Sequence, residues 1–356
     1  MNIGKYVTDW YLVNKRSLPW RESTDPYIIW ISEIILQQTR VNQGLSYFFS
    51  FINVFPDVKT LAAADISDVL KIWQGLGYYS RARNMHQAAK TVVDDYNGIF
   101  PDSYSELIKL KGVGEYTAAA VASISSGEKV PVVDGNVYRL LARFYGIDSP
   151  VNTNASKKEF ASVMLELMNN FEPGLFNQAI MEFGALQCVP VNPECNKCPL
   201  VSNCYAYDNK KIDVLPVKLK KKKIRNRFFF YIVIITGSHV LLKKRLAGDI
   251  WEGLYEFPVI ETDDYITFEQ LTMKNTWKNI FGEREFSVVN VSEKFIHQLT
   301  HQRIFAQFAQ IYLYEPGNID IPGTVFVNQV DLEKYPVSRL IEKYFETVRI
   351  FNYGNN

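Results

Sequence analysis

Two carboxylates stand in settings that separate their acidities. Glu33 lies inside WISEIILQQTR, Trp30–Arg40, where Ile28, Ile29, Ile31, Ile34, Ile35 and Leu36 surround it. Asp25 and Pro26 just upstream supply a capping side chain and a proline for the first helical position. A carboxylate carried into such apolar surroundings is costly unless it is paired or protonated. Burial would raise its pKa and keep it an acid. The plainer alternative is a narrow polar stripe shared with Gln37 and facing water. Asp134, in VPVVDGNVYRL, stands where a helix is expected to begin. There it can cap backbone amides, which favours its ionised form; an ordinary N-cap is the alternative. Two acids pushed apart in pKa can divide labour, one giving a proton and one meeting positive charge.

A second chemistry-bearing group is the run of cysteines. All four in the chain, Cys188, Cys195, Cys198 and Cys204, follow the spacing C-x6-C-x2-C-x5-C. Paired disulfides do not suit the intracellular setting expected of this chain. Zinc usually takes two separated C-x-x-C knuckles. A single C-x-x-C flanked by longer arms favours a cubane iron–sulfur cluster. Zinc and plain structural thiols remain the alternatives. Lys197 in this loop can reach a phosphate.

A third signal is LKGVGEYTAAAVASI, Leu110–Ile124, after the short helical pattern SYSELIKL. Gly112 and Gly114, on either side of Val113, permit a tight turn and close backbone approach. The helix that follows offers unpaired amides and the positive end of its dipole to an anion. Helix, Gly-x-Gly hairpin and helix together can hold a DNA backbone without reading its sequence. An ordinary helix connection is the alternative.

These signals must be carried by a chain of 356 residues, 47% of them hydrophobic, with a net charge of +1. The length allows two domains and the apolar fraction argues against general disorder. No apolar run reaches membrane-spanning length. The first residues lack the continuous apolar core of a signal peptide. The expectation is therefore a soluble, cytoplasmic, monomeric protein. Whole-chain charge does not mark a nucleic-acid binder, but VKLKKKKIRNR, residues 217–227, is a local basic run without an acid. It reads either as a solvated connector or as a phosphate-contacting segment.

The linker separates two kinds of pattern. Before it, capped apolar stretches predict helices in DPYIIWISEIILQQTRV, SDVLKIWQGLGYYSRARNMHQAAKTVVDDY, SYSELIKL, EYTAAAVASI, NVYRLLARFYG and SKKEFASVMLELMNN. After it, RFFFYIVIITG, HVLLKKR, FSVVNVSEKF and RIFAQFAQIYLYEP predict strands, with helical pieces between them. The expected domains are 1–207, a linker at 208–227, and 228–350.

In this order, LKGVGEYTA, VPVVDGN and the four cysteines resemble the helix–hairpin–helix DNA glycosylases. Within that family LPWRESTDPY, SEIILQQTRV, GLGYYSRARN and GDIWEGLYEFP are similar to the adenine DNA glycosylases. The resemblance spans nearly the whole chain. It implies an all-α helix–hairpin–helix domain ending in a [4Fe-4S] loop, followed by an α+β Nudix-like domain. It implies excision of adenine opposite 8-oxoguanine or guanine in duplex DNA, with no membrane partner. Glu33 would protonate the adenine ring and Asp134 would stabilise or capture the sugar cation, as in glycoside hydrolysis. Asn136 and Tyr116 would support them. The lyase-type relatives carry a lysine at the position of Tyr116 for a Schiff base, which tyrosine cannot form. Lys109 and Lys111 leave incidental lyase activity open. The base must be flipped out to be reached. By resemblance Gln38 and Tyr78 are the wedges, and Trp20, Arg21 and Leu36 line the adenine pocket; core or surface roles are their alternatives.

The second domain departs from its relatives. No R-E-x-x-E-E pattern follows GLYEFP, so diphosphate hydrolysis is not expected. Where the family reads the lesion with Phe-Ser-His, HQLTHQRI places Leu299, Thr300 and His301. A second register would use Phe295 and His297. The rivals are a lyase-type glycosylase for oxidised pyrimidines and a non-catalytic DNA-binding protein. Tyr116 and the second domain argue against the first, and the two carboxylates argue against the second.

Overall fold

The computed structural model of the chain describes residues 3–219, 224–315, 319 and 321–347. Residues 220–223 of the basic run and 348–350 of the expected second domain lie outside the described residues. The chain forms two compact units, one from Met1–Ala63 with Asn84–Lys220, the other from Ala64–Arg83 with Lys221–Asn356.

The first unit is helical. It opens with α1 (Ile3–Asn14), α2 (Pro26–Leu36), α3 (Val41–Val54) and α4 (Val58–Ala63). Helix α5 (Ile66–Ile72) and the first turn of α6 (Ser80–Asp95) belong to the other unit. The first unit resumes through the rest of α6, then α7 (Tyr104–Leu107), α8 (Glu115–Ser125), α9 (Gly135–Tyr145), α10 (Asn154–Leu167), α11 (Pro173–Leu186) and α12 (Tyr205–Asp208). Helix α2 starts as its sequence predicts, with the Asp25 side chain accepting from the Tyr27 amide at 2.8 Å. Its Ile29, Trp30, Ile31, Ile34 and Ile35 are buried, which fixes the helix against its neighbours. The stretch from Ser67 to Tyr96 is not one helix. Gly75 and Gly77 take φ of 94° and 73°, conformations that break a right-handed helix, so α5 and α6 are separate.

The second unit is built on one sheet. Strands β1 (Arg225–Thr236), β2 (His239–Lys244), β3 (Tyr255–Glu256), β4 (Val259–Thr262), β5 (Phe286–Val291), β6 (Phe295–Gln298), β7 (Gln302–Leu313) and β8 (Thr324–Asn328) alternate with α13 (Phe268–Thr272), α14 (Asn275–Phe281) and, at the end, α15 (Arg339–Thr347). The central order is β3-β2-β1-β7-β5, with β4 on β1, β6 on β7 and β8 on β2. Strands β1 and β7 run parallel, from Arg225 beside Gln302 to Ile235 beside Tyr312. The unbroken apolar run of β1 is explained by burial on both faces. Phe229, Tyr231, Val233 and Ile235 face the core that includes Tyr344 of α15, while Phe230, Ile232 and Ile234 face Trp277 and Phe281 of α14. FSVVNVSEKF gives two strands, with Ser292 between them accepting from the Phe308 amide through its hydroxyl and donating its own amide to the Phe308 carbonyl.

Candidate active site

The helical unit holds a cleft of about 2110 Å³. Helix α2 presents Glu33 to it, α8 presents Tyr116, and the N-cap of α9 presents Asp134. Trp20, Arg21, Leu36, Gln38, Gly112, Gly114 and Asn136 also line it. Val113 does not; its side chain is 7% exposed and turns inward between the two glycines.

Glu33 sits in the cleft wall, not on a solvated stripe with Gln37. Gln37 donates to Thr117 Oγ1 at 3.2 Å. Burial pushes the Glu33 carboxyl up to about 7; the Tyr116 hydroxyl, hydrogen-bonded to it, and the Arg21 charge pull the other way, and Asp134 adds to the rise. Tyr116 is itself held well above its ordinary value, first by burial and then by the two carboxylates, so it stays a donor. Its hydroxyl also lies 3.5 Å from Met181 Sδ.

Asp134 accepts three hydrogen bonds: from the amides of Asn136 and Val137, both at 2.8 Å, and from Asn136 Nδ2 at 2.7 Å. Capping alone would lower its pKa. In the folded chain burial outweighs the caps and Arg139, and the pKa rises. The expectation that the two acids are pushed in opposite directions is thus corrected: both move up, because both are walled into the same cleft. What distinguishes them is the number of groups that hold the anion.

Two features escaped the sequence reading. Glu182 of α11, 2% exposed, binds Arg16 and Arg21. Arg21 meets it with two parallel bonds of 2.9 and 2.7 Å, and the Arg16 amide and Nε add 3.0 and 2.8 Å. Hydrogen bonds from these arginines overcome burial and bring Glu182 down to about 2. Glu182 in QAIMEFGAL carries the signal that singled out Glu33, an acid in an apolar run, and that signal could have found it. The second feature is Arg139. Its Nη2 donates to Asn136 Oδ1 at 2.9 Å and its Nε to the Cys188 carbonyl at 2.7 Å. A continuous chain of bonds therefore runs from Asp134 to the first cysteine.

Trp20 is both core and cleft wall, 7% exposed and edge-on to Phe48 at 5.1 Å. Gln38 is exposed at the end of α2 with φ of 57°. Gly112 has φ of 79°, and a Cβ there would come within 2.6 Å of the Asn84 side chain. Gly114 caps α8 without a side chain, which leaves the first amides of that helix to an outside acceptor.

The four cysteines line one small hollow with Leu140, Arg143 and Phe144. Among the described residues no three His, Cys, Asp or Glu side chains are placed to hold a single metal ion. Cys198 is pushed up to about 11, by burial first and by its neighbouring thiols. Burial raises Cys195 and Cys204 as well.

In the second unit Tyr78, 47% exposed with φ of 49°, shares a hydrogen bond with Thr300. Thr300 and His301 are exposed between β6 and β7. Leu299 is not a free wedge: it packs against the core of this unit. Phe295 is committed to the same core beside Phe308, and His297 sits edge-on to Trp251 at 5.7 Å. Among the described residues no helix is long and apolar enough to cross a membrane.

Residues 31–168 match the HhH-GPD superfamily of base excision DNA repair proteins, and residues 230–347 match the NUDIX domain. The chain is 38% identical over 260 residues to an adenine DNA glycosylase of Buchnera aphidicola subsp. Schizaphis graminum, covering 73% of this chain and 75% of that one. It is 39% identical over 395 residues to an adenine DNA glycosylase of Homo sapiens, covering 95% and 72%. Its fold is similar to a thermostable thymine-DNA glycosylase (TM-score 0.54, 29% identity, 58% of this chain and 95% of that one). It is also similar to endonuclease III in a trapped covalent DNA intermediate (TM-score 0.51, 21% identity, 58% and 94%), a likeness of fold alone.

Proposed function

This chain belongs to the adenine DNA glycosylases, base excision repair enzymes that hydrolyse N-glycosyl bonds, and we propose that it removes adenine opposite 8-oxoguanine or guanine with Glu33 as the general acid. The observation that carries this reading is the placement of Glu33, at about 7, in one cleft with Asp134. An acid with a pKa near working pH is populated in its protonated form and still gives up its proton readily. A flipped adenine in the cleft receives that proton on a ring nitrogen, which makes it a neutral leaving group. The sugar is left with oxocarbenium character. Asp134, whose carboxylate accepts from two amides and Asn136, stabilises or captures that cation. Water then bonds to the sugar carbon and returns a proton to Glu33; because Tyr116 supports Glu33 and cannot form an imine, the product is an abasic site on an unbroken strand.

Cys188, Cys195, Cys198 and Cys204 would hold a [4Fe-4S] cluster. When bound, it supplies a cross-link that orders the loop carrying Lys197, and Arg139 ties that loop to Asn136. The Gly112–Gly114 hairpin would take a DNA phosphate on the open amides of α8. Gln38 and Tyr78 would be the wedges that fill the gap left by the flipped base and hold the base opposite it; their left-handed backbones, rare for such residues, fit a built presentation. Thr300 and His301 would read the opposite base. We assign catalysis to 1–207 apart from segment 64–83, which folds with the sheet unit, and lesion reading to 228–350 together with that segment, joined at 208–227.

The test is single-turnover base release from duplexes that differ only in the target pair, with and without alkali. Release of adenine alone, with strand breakage only after alkali, is the expected outcome. Release of an oxidised pyrimidine instead would overturn the reading.

A further inference from the structure

Residues 64–83 lie in the helical half of the sequence but fold with the sheet unit. The segment carries Tyr78, and its contacts show how that ring is held. Trp73 Nε1 and Arg81 Nη2 both donate to the Gly77 carbonyl at 3.1 Å, and the Arg81 guanidinium lies 5.7 Å from the Tyr78 ring centre. These bonds shape the loop. They do not place it against the sheet.

Three other side chains do. Arg83 Nη1 donates to the Glu252 carbonyl at 2.8 Å, and Nη2 to its carboxylate at 3.2 Å. Gln74 accepts from the Val337 amide at 3.3 Å and donates to Glu342 of α15. The Tyr79 hydroxyl donates to the Val337 carbonyl at 3.3 Å. The loop that receives Arg83 is shaped for it: Trp251 and Gly253 have φ of 60° and 80°, and a Cβ on Gly253 would come within 3.1 Å of Leu70. Tyr78 and Thr300, 222 residues apart, meet at the end of this docked segment.

We infer that Arg83, with Gln74 beside it, is a positioning residue for lesion selectivity: it docks segment 64–83 on the 251–253 loop and so aims Tyr78 at Thr300. This rests on the reading that Tyr78 and the Thr300–His301 tip sense the base opposite adenine. Arg83 bonds to Glu252 and not to the Thr300–His301 tip. Its removal therefore lowers the ratio of rates on the 8-oxoguanine and guanine duplexes, over and above any loss that a displaced Tyr78 wedge causes equally on both. A hydrogen bond of this kind is worth about two- to tenfold in that ratio.

The experiment measures single-turnover rates on both duplexes at fixed salt for the full-length protein, Arg83→Ala, Arg83→Lys, Gln74→Ala, Tyr78→Phe, the Arg83→Ala/Tyr78→Phe pair, and Thr300→Ala with His301→Ala. The expected result is a lower ratio for Arg83→Ala, partial recovery in Arg83→Lys, and no further loss when Arg83→Ala is added to Tyr78→Phe. If Arg83→Ala does not fold, Arg83→Lys and Gln74→Ala carry the comparison with Tyr78→Phe. An unchanged ratio in the Arg83 and Gln74 variants, with a lowered one in the Thr300/His301 variant, overturns the positioning role and spares the reading beneath it. Additive losses, or an equal fall on both duplexes, also overturn it. A ratio that no variant moves, the Thr300/His301 variant included, removes the underlying reading and this inference with it.

Discussion

The hydroxyl of Tyr116 is hydrogen-bonded to the carboxyl of Glu33, and this bond opposes the burial that raises the acid to about 7. The bond joins two helices, α2 and α8, and couples the pH dependence of the site to a residue that never gives up its own proton.

Glu33→Gln is expected to lose about 10²–10⁴-fold in single-turnover base release while duplex binding survives. Stability moves the other way. The folded pKa of Glu33 lies above its unfolded value of 4.5, so the native state binds more protons and the wild type loses stability between pH 4.5 and about 7. The glutamine variant lacks that loss. Its melting temperature should gain on the wild type as pH rises through this window. Near-normal excision by Glu33→Gln would return the residue to a structural role.

Tyr116→Phe removes a bond that lowers the Glu33 pKa. The alkaline limb of the excision-rate profile should therefore move to higher pH, because Glu33 keeps its proton longer. Tyr116→Lys is expected to gain borohydride-trappable complex with DNA. Efficient trapping of the unmodified protein would contradict the monofunctional assignment.

Glu182→Gln leaves Arg16 and Arg21 without their carboxylate, and breaking a buried pair costs about 3 kcal/mol or more at neutral pH. Here the folded pKa, about 2, lies below the unfolded 4.5. The pair's contribution is present above pH 4.5 and fades as pH falls toward 2. Denaturant unfolding at pH 7 and pH 3 should show a smaller difference from wild type at the lower pH. An equal difference at both would assign the loss to shape, not charge.

Anaerobically purified protein should contain iron and sulfide in equal amounts and absorb in the visible, and Cys198→Ser should lower both contents and the melting temperature. Stoichiometric zinc without iron would defeat the cluster assignment. The readout does not depend on glycosylase activity.

The sequence by itself determined the helix that carries Glu33, the cap made by Asp134, the Gly-x-Gly hairpin, the cysteine spacing and the long apolar strands of the second unit. Each is local: a period, a cap, a turn or a spacing within a few residues. It did not reveal α11, whose apolar positions run nearly all round, nor that Gly75 and Gly77 end one helix before another begins. Tertiary structure decided the rest, and Glu33 and Glu182 show why. Both are acids in apolar helices. One meets a phenol and a second carboxylate and goes up to about 7; the other meets two arginines and goes down to about 2. Burial penalises the charge of both; in Glu33 it prevails over the phenol, and in Glu182 the hydrogen bonds from two arginines reverse its sign. Arg21 lies 161 residues from Glu182 in the chain, and Thr300 lies 222 from Tyr78. No local pattern encodes such pairs, because a side chain's electrostatic environment is fixed by what folding brings opposite it.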